Sequence, residues 1–83
     1  MFKKEPPRYP WKDPAVLICE LGHGDRRIAG QGTLYAMVHR LMIVKEEARA
    51  RYTITLPDRQ VAPFAFSADE FPELIIEHQR ARL

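Results

Sequence analysis

The pair that comes closest to a catalytic arrangement in this sequence is Cys19 with His23, and Asp25 follows two residues later. A cysteine nucleophile needs a base within hydrogen-bonding distance and, as a rule, a third group that orients the base. We expect Cys19 to lie inside a buried strand, however, where a free cysteine behaves as a small apolar side chain. A small enzyme that uses these residues is therefore our third hypothesis, and we expect no catalytic site.

The histidines are the other residues with metal chemistry, and the sequence contains three of them, His23, His39 and His78. A metal site usually holds two ligands on one face of an element through a spacing such as CxxC, HxxxH or HExxH. None of these spacings occurs in the sequence. We therefore predict neither a metal nor any other cofactor.

A glycine-rich segment, Gly30–Thr33, precedes the most apolar stretch of the chain. Such a turn at the start of a helix can bind an anion through its free N–H groups. The segment lacks the Gly-Lys-Ser/Thr end of a P-loop, and Tyr35 replaces the third glycine of GxGxxG. We interpret it as a simple turn in which Thr33 caps the helix that follows.

Charge is distributed unevenly, although the net charge is only +2. Residues 26–51 carry six lysines and arginines against two acids, whereas residues 67–77 carry four acids and no lysine or arginine. The basic half supplies four candidate partner-binding residues: Arg26, Arg27, Arg49 and Arg51. On one sheet face, these side chains would contact phosphates with a salt-dependent, sequence-independent affinity. A nucleic-acid-binding protein is therefore our second hypothesis.

Residues 1–14 differ in composition from the rest, with four prolines and four basic residues. Because proline fixes φ and removes a hydrogen-bond donor, we expect an extended arm here and a folded domain over residues 15–83. Arg8, Tyr9 and Trp11 make the arm a candidate partner-binding segment, since it contains a PxxP spacing. The interpretation that we prefer for Trp11 is that its large apolar surface folds back onto the domain.

The first half of the domain predicts two strands and a helix. Residues 15–21 are aliphatic on both faces, which indicates a central strand covered on both sides. A glycine turn joins it to a short return strand over 26–29. Apolar residues at helical spacing then predict a helix over about 33–48. The β-branched pair Ile43–Val44 either ends this helix or begins the next strand.

The second half repeats that order. Residues 50–56 alternate as a strand does, and residues 60–66 predict a further strand, with Pro63 indicating an edge or a bulge. Ser67 and Glu70 have the spacing of a capping box for the last helix. The sequence therefore predicts a single small α+β domain with an antiparallel four-stranded sheet, two helices in the order ββαββα, and an extended proline-rich N-terminal arm.

The cellular compartment follows from cysteine usage and hydropathy. Cys19 is the only cysteine, so an internal disulfide cannot form, which fits a reducing compartment. Prolines interrupt the N-terminus where a signal peptide needs its apolar region, and the aliphatic runs are far shorter than the roughly 20 residues of a membrane span. We expect a cytoplasmic protein that is not secreted and has no membrane partner.

Apolar side chains are abundant for a chain of 83 residues, whose core must be small. Those that a small core does not easily accommodate are Tyr35, Met37, Met42, Ile43, Val44, Phe64, Phe66 and Phe71. Surplus apolar surface often marks an interface. Our leading hypothesis is a small non-catalytic protein-binding protein, of the adaptor or inhibitor kind, whose partner is another protein or, as a homodimer, a second copy of the chain.

Overall fold

The computed structural model describes residues 9–81. Its four strands are β1 (Pro14–Gly22), β2 (Asp25–Thr33), β3 (Tyr52–Thr55) and β4 (Ala65–Phe66). Its two α-helices are α1 (Leu34–Ile43) and α2 (Phe71–Ala81), and 3₁₀ segments occupy Glu46–Arg51 and Ala68–Glu70. The predicted α+β class, with four strands and two helices in the order ββαββα, is confirmed.

The four strands form one antiparallel sheet in the order β2-β1-β3-β4, so β1 is central, as its aliphatic sequence predicts. In the middle of the sheet, Leu17 lies opposite Gly30 of β2 on one side and Ile54 of β3 on the other. The long β1–β2 hairpin is therefore the main element of the sheet, and the later strands add to only part of it.

One face of the sheet carries the core. Its buried sheet residues are Ala15, Leu17, Ile54, Leu56 and Phe66, which alternate along their strands or lie opposite one another. The helices contribute Leu34, Met37, Val38, Leu41, Phe71 and Leu74 to the same cluster. Both helices therefore cover this face, and the prediction that β1 is covered on both sides is wrong.

The opposite face, which we call the open face, consists mainly of β-branched side chains. Its residues are Val16, Ile18, Ile28, Thr53 and Thr55, which are paired across β1, β2 and β3. They are half-buried except for Ile28, which is 58% exposed. Within the described residues, nothing in the buried core lies on this side of the sheet.

The segment Gly30–Thr33 is not a turn, and that prediction is wrong. It is the last part of β2, because α1 packs directly against its glycines. A Cβ atom on Gly30 would lie 2.9 Å from Cδ of Arg40 and 3.1 Å from Sδ of Met37. The predicted cap is confirmed, since the hydroxyl oxygen of Thr33 accepts a hydrogen bond from the N–H of Ala36 at 3.1 Å.

Helix α1 ends at Ile43, earlier than the predicted residue 48. Val44 is already extended (φ −73°, ψ 138°), yet the next strand begins only at Tyr52. The guanidinium group of Arg49 explains the early end, because it donates to the carbonyl oxygens of Val44 (3.2 Å) and Met42 (3.3 Å). It thereby satisfies acceptors that a helix end leaves unpaired.

The strand predicted over residues 60–66 is formed only at Ala65–Phe66. In the preceding loop, the guanidinium group of Arg59 donates to the carbonyl oxygens of Val61 (3.0 Å) and Ala62 (3.1 Å). The Arg59 side chain thus supplies hydrogen bonds that a neighbouring strand would supply if β4 were longer. The predicted capping box after β4 is confirmed: Ser67 N–H donates to Glu70 Oε1 at 3.0 Å.

The N-terminal segment is tied to the start of α1. The carbonyl oxygen of Asp13 accepts from the N–H of Leu34 (2.9 Å), and that of Trp11 accepts from the N–H of Tyr35 (3.0 Å). A salt bridge of 2.9 Å joins the Asp13 carboxylate to Arg59. The Trp11 side chain is buried, which confirms that it folds back onto the domain.

Candidate binding surface

The β1–β2 hairpin extends beyond the rest of the sheet. Strand β3 pairs with β1 only from Val16 to Cys19. All nine residues of Glu20–Ile28, which we call the hairpin tip, are exposed. Two of them are large and apolar, Leu21 (52% exposed) and Ile28 (58% exposed).

The turn of the hairpin is specified by its sequence. His23 and Gly24 both have positive φ, 55° and 82°. A two-residue turn of this kind matches the right-handed twist of the flanking strands, and glycine adopts the conformation without strain. The tip is therefore a preorganised ribbon, although it contributes no side chain to the core.

A bulge separates the tip from the base of the hairpin. Leu17 lies opposite Gly30 and Ile18 lies opposite Ile28, so Ala29 is an extra residue in β2. A bulge bends its strand and increases the local twist. On the far side of this bulge, residues 30–33 pair in unbroken register with β1.

Strand β2 also forms one edge of the sheet. Among the described residues it has a strand neighbour on one side only, along nine residues, whereas the opposite edge is the two-residue β4. An edge strand presents unpaired N–H and C=O groups that can pair with another chain. The longest edge of this sheet is therefore in the same hairpin as the exposed tip.

The structure does not bring the four candidate arginines to one face. Arg26 and Arg27 are adjacent on β2, so their side chains point to opposite faces of the ribbon. Arg49 and Arg51 lie in the 3₁₀ segment before β3 and not on a strand. Arg49 is half-buried and caps α1, whereas Arg51 is exposed. These four arginines therefore do not share one face, although Arg26 and Arg27 both lie on the hairpin tip.

Arg26 also has an acidic neighbour. It lies opposite Glu20, with 3.5 Å between Arg26 Nε and Glu20 Oε2, and both side chains are more than half exposed. Exposed pairs of this kind contribute little to stability, about 0–1 kcal/mol. The pair therefore leaves Arg26 available to a partner.

A further arginine of the basic stretch 26–51 lies beside β2. Arg40 of α1 packs its side chain against Gly30, and it also lines an open depression of about 370 Å³ with Ile43 and Val44. Ile43 is 77% exposed. The sequence alone does not show that Arg40 lies next to Gly30, because this depends on how α1 packs against β2.

The candidate residues of the N-terminal arm are mostly part of the fold. Trp11 is in the core, and Tyr9 is half-buried, with its ring centroid 5.4 Å from that of Trp11 and 5.6 Å from that of Phe66. Arg8 lies outside the described residues. Tyr9 and Trp11 therefore serve the domain's own packing.

The apolar side chains that the sequence marks as surplus divide into three groups. Met37, Phe66 and Phe71 are buried, and Ile43 and Phe64 are exposed. The half-buried ones are Tyr35, Met42 and Val44. The exposed ones lie at the end of α1 and in the loop before β4, away from the hairpin tip. Surplus apolar side chains are therefore exposed at more than one place on the surface.

Among the described residues, no hydrogen bond joins Cys19 to His23. Cys19 is half-buried at the end of the region paired with β3, and its thiol donates to the carbonyl oxygen of Glu20 at 3.7 Å. A hydrogen bond with Cys19 raises the pKa of the Tyr52 hydroxyl above its usual value. Within residues 9–81, no group of three or more His, Cys, Asp or Glu residues is arranged to hold a metal.

An aromatic cluster joins the two helices, and the sequence did not reveal it. The ring of His78 stacks on Tyr35 at 4.0 Å between centroids, with Trp11 at 5.8 Å and His39 at 6.0 Å. His78 Nε2 lies 3.1 Å from the carbonyl oxygen of Tyr35, and since that oxygen can only accept, Nε2 carries the proton.

Burial keeps this histidine neutral. His78 is buried, its Nδ1 has no hydrogen-bond partner among the described residues, and burial lowers the pKa of the imidazole from 6.5. The nearby His39 lowers that pKa further, while the hydrogen bond to Tyr35 opposes both effects. The cluster fits a packing role between α1 and α2.

Comparisons with models of protein families, with curated proteins and with solved structures found no match to this chain. Among the described helices, none has the length and apolar character that crossing a membrane requires. The function is therefore argued from the surface of the hairpin.

Proposed function

We propose that this chain is a small, non-catalytic, cytoplasmic protein that binds another protein through its hairpin tip. The observation that carries the proposal is the projection of Glu20–Ile28 beyond β3, with every residue exposed. A ribbon that contributes nothing to the core still has a specified turn and paired strands, with Leu21 as an extra residue between the pairs Glu20–Arg26 and Gly22–Asp25. The lone Cys19 fits a reducing compartment.

The energetics favour a binding role. Leu21 and Ile28 are each more than half exposed, and covering such side chains contributes about 1 kcal/mol apiece. Because the turn is already formed, a partner does not have to order this segment when it binds. Ile28 also continues the open face, where it lies opposite Ile18. Apolar contact area thus extends from the tip onto the sheet.

Co-purification from native cells tests the proposal. The test variant is Leu21→Ser with Ile28→Thr, and the control is Val61→Ser with Ile76→Thr, whose side chains are 65% and 48% exposed away from the tip. We expect the wild type and the control to retain the same partner protein, and the tip variant to lose it about tenfold. Retention by the tip variant, or a wild type that elutes as a clean monomer with no protein bound, would overturn the proposal.

Nucleic acid is the second candidate partner. The observation that favours it is the adjacent pair Arg26 and Arg27 on a two-stranded ribbon, since such a ribbon fits the major groove of DNA. Nucleic-acid binding would weaken steeply with salt, with a slope of about −0.9 for each phosphate contact. Reversing both charges, with Arg51→Glu as the control, would abolish it; equal affinity in both variants would exclude the tip as the site.

A further inference from the structure

We infer that the partner supplies an acidic, extended segment that pairs with β2 as a fifth strand. The inference rests on the proposed protein-binding function and names the kind of partner. It depends on three observations at the end of β2 that precedes α1: an open backbone edge, a positive charge beside it, and a depression next to Arg40.

The backbone of β2 is open to such pairing. Strand β2 is nine residues long, contains no proline and no lysine, and is unpaired on its outer side within the described chain. Natural edge strands block pairing with proline, with charged residues such as lysine and with β-bulges, and the bulge at Ala29 confines the open edge to residues 30–33. Gly30 and Gly32 also lack side chains, which lets another backbone approach closely. Residues 30–33, beyond the bulge, therefore form the most regular part of the edge.

The charge beside residues 30–33 of this edge is positive. Between Asp25 and Glu46 the chain contains no acid, although it contains Arg26, Arg27, Arg40 and Lys45. Asp25 and Glu20 lie at the tip end of the hairpin, where Glu20 pairs with Arg26, whereas Arg40 rests against Gly30. An acidic strand would thus be attracted to residues 30–33, and a second copy of β2 would bring further positive charge.

The depression beside Arg40 gives the added strand a place for a side chain. Its volume is about 370 Å³, and Ile43 and Val44 line it with Arg40 at its rim. Side chains of a strand alternate between the two faces of the sheet, so every second one would point toward α1. An apolar side chain of the added strand would contact Ile43 and Val44, and carboxylates on either side of it would lie near Arg40.

A protein strand fits these observations better than nucleic acid does. Phosphates would use the arginines, but they would leave the N–H and C=O groups of β2 and the apolar lining unused. An added strand uses the backbone groups for affinity and the side-chain sites for specificity. Nucleic acid is therefore an outcome of the test below.

The probe is a synthetic peptide that alternates valine and glutamate and is about as long as β2. Two matched peptides separate charge from backbone pairing: one has lysine in place of glutamate, and one keeps glutamate but carries N-methyl groups on alternate amides. We expect the acidic peptide to slow hydrogen exchange of the β2 amides and not of α2, and both matched peptides to bind about tenfold more weakly. Equal binding of the lysine peptide, or no protection of β2, would overturn the inference. Protection of the same amides by a DNA duplex and not by the acidic peptide would overturn it in favour of nucleic acid.

Variants of Arg40 connect the peptide to the native partner. Arg40→Gln removes the charge beside Gly30, and Arg80→Gln on α2 is the control, since Arg80 is 73% exposed and pairs only weakly with Glu77. We expect Arg40→Gln to weaken both the acidic peptide and the native partner about threefold to tenfold. If the tip variant loses the native partner but Arg40→Gln retains it fully, strand addition is wrong while protein binding stands. If no protein co-purifies with the wild type, protein binding itself is wrong.

Discussion

The two ends of the β1–β2 hairpin have the same backbone structure and opposite surroundings. At the base, Pro14–Leu17 pairs with Gly30–Thr33 beside α1, and Leu17 is 1% exposed. At the tip, Glu20–Ile28 continues the same ribbon with every residue exposed. Pairing alone does not bury a strand, because the helices and β3 determine which part of the hairpin is covered. The helices and β3 thereby separate a part that stabilises the fold from a part available to a partner.

The largest expected difference concerns apolar truncation. Leu17→Ala at the base should lower the free energy of unfolding by about 2–5 kcal/mol, because a fully buried leucine leaves a cavity. Ile28→Ala at the tip should cost less than about 1 kcal/mol, since that side chain is mostly in solvent. Urea denaturation of both variants measures the difference. Similar losses would mean that the tip belongs to the folded core.

Substitution of Gly30 and Gly24 should distinguish two reasons for a glycine: too little space for a side chain at Gly30, and a positive φ at Gly24. Gly30→Asn at the base meets Arg40 and Met37 and should destabilise by about 1–3 kcal/mol. Gly24→Asn at the tip should cost less than about 1 kcal/mol, because nothing lies near its Cβ position and asparagine tolerates positive φ. Thermal unfolding compares them. A Gly24→Asn variant that is the less stable of the two would contradict this account.

Arg26 at the hairpin tip and Arg49 in the 3₁₀ segment before β3 should also differ in their effect on stability. Arg49→Ala removes two hydrogen bonds to the end of α1 and should cost about 1–2 kcal/mol. Arg26→Ala removes only an exposed pair with Glu20 and should change stability by less than about 0.5 kcal/mol. Denaturant midpoints measure both. Equal changes in stability for the two variants would show that the hydrogen bonds from Arg49 do not stabilise the end of α1.

The smallest expected effect is a pH dependence. His78 has a pKa lowered by burial, so below about pH 6.5 the unfolded chain binds a proton before the folded chain does. Its contribution to stability is therefore complete above that pH and is lost as the pH falls through the folded pKa. Denaturant midpoints at pH 7.5 and 5.5 should fall less with acid in His78→Gln than in the wild type. His23→Asn at the exposed turn, as the control, should leave the wild-type dependence in place.

The sequence predicted the features that depend on neighbouring residues. The cap at Thr33, the box from Ser67 to Glu70, and the turn at His23–Gly24 were all readable because each is decided within a few residues. Alternation of apolar residues predicted the strand over 50–56, since burial of one face fixes that period, and an aliphatic run followed by a glycine turn predicted the β1–β2 hairpin. Of the residues in the proposed binding surface, the sequence predicted Arg26 and Arg27.

Only the tertiary structure decided the features that depend on distant contacts. Gly30–Thr33 is strand because α1 packs on its glycines, and α1 ends at Ile43 because Arg49 reaches back to its carbonyl groups. The exposure of Ile28 depends on how far β3 extends along β1, which no local pattern encodes. Local chemistry thus determined which elements form, and packing between elements determined where they end and what they leave exposed.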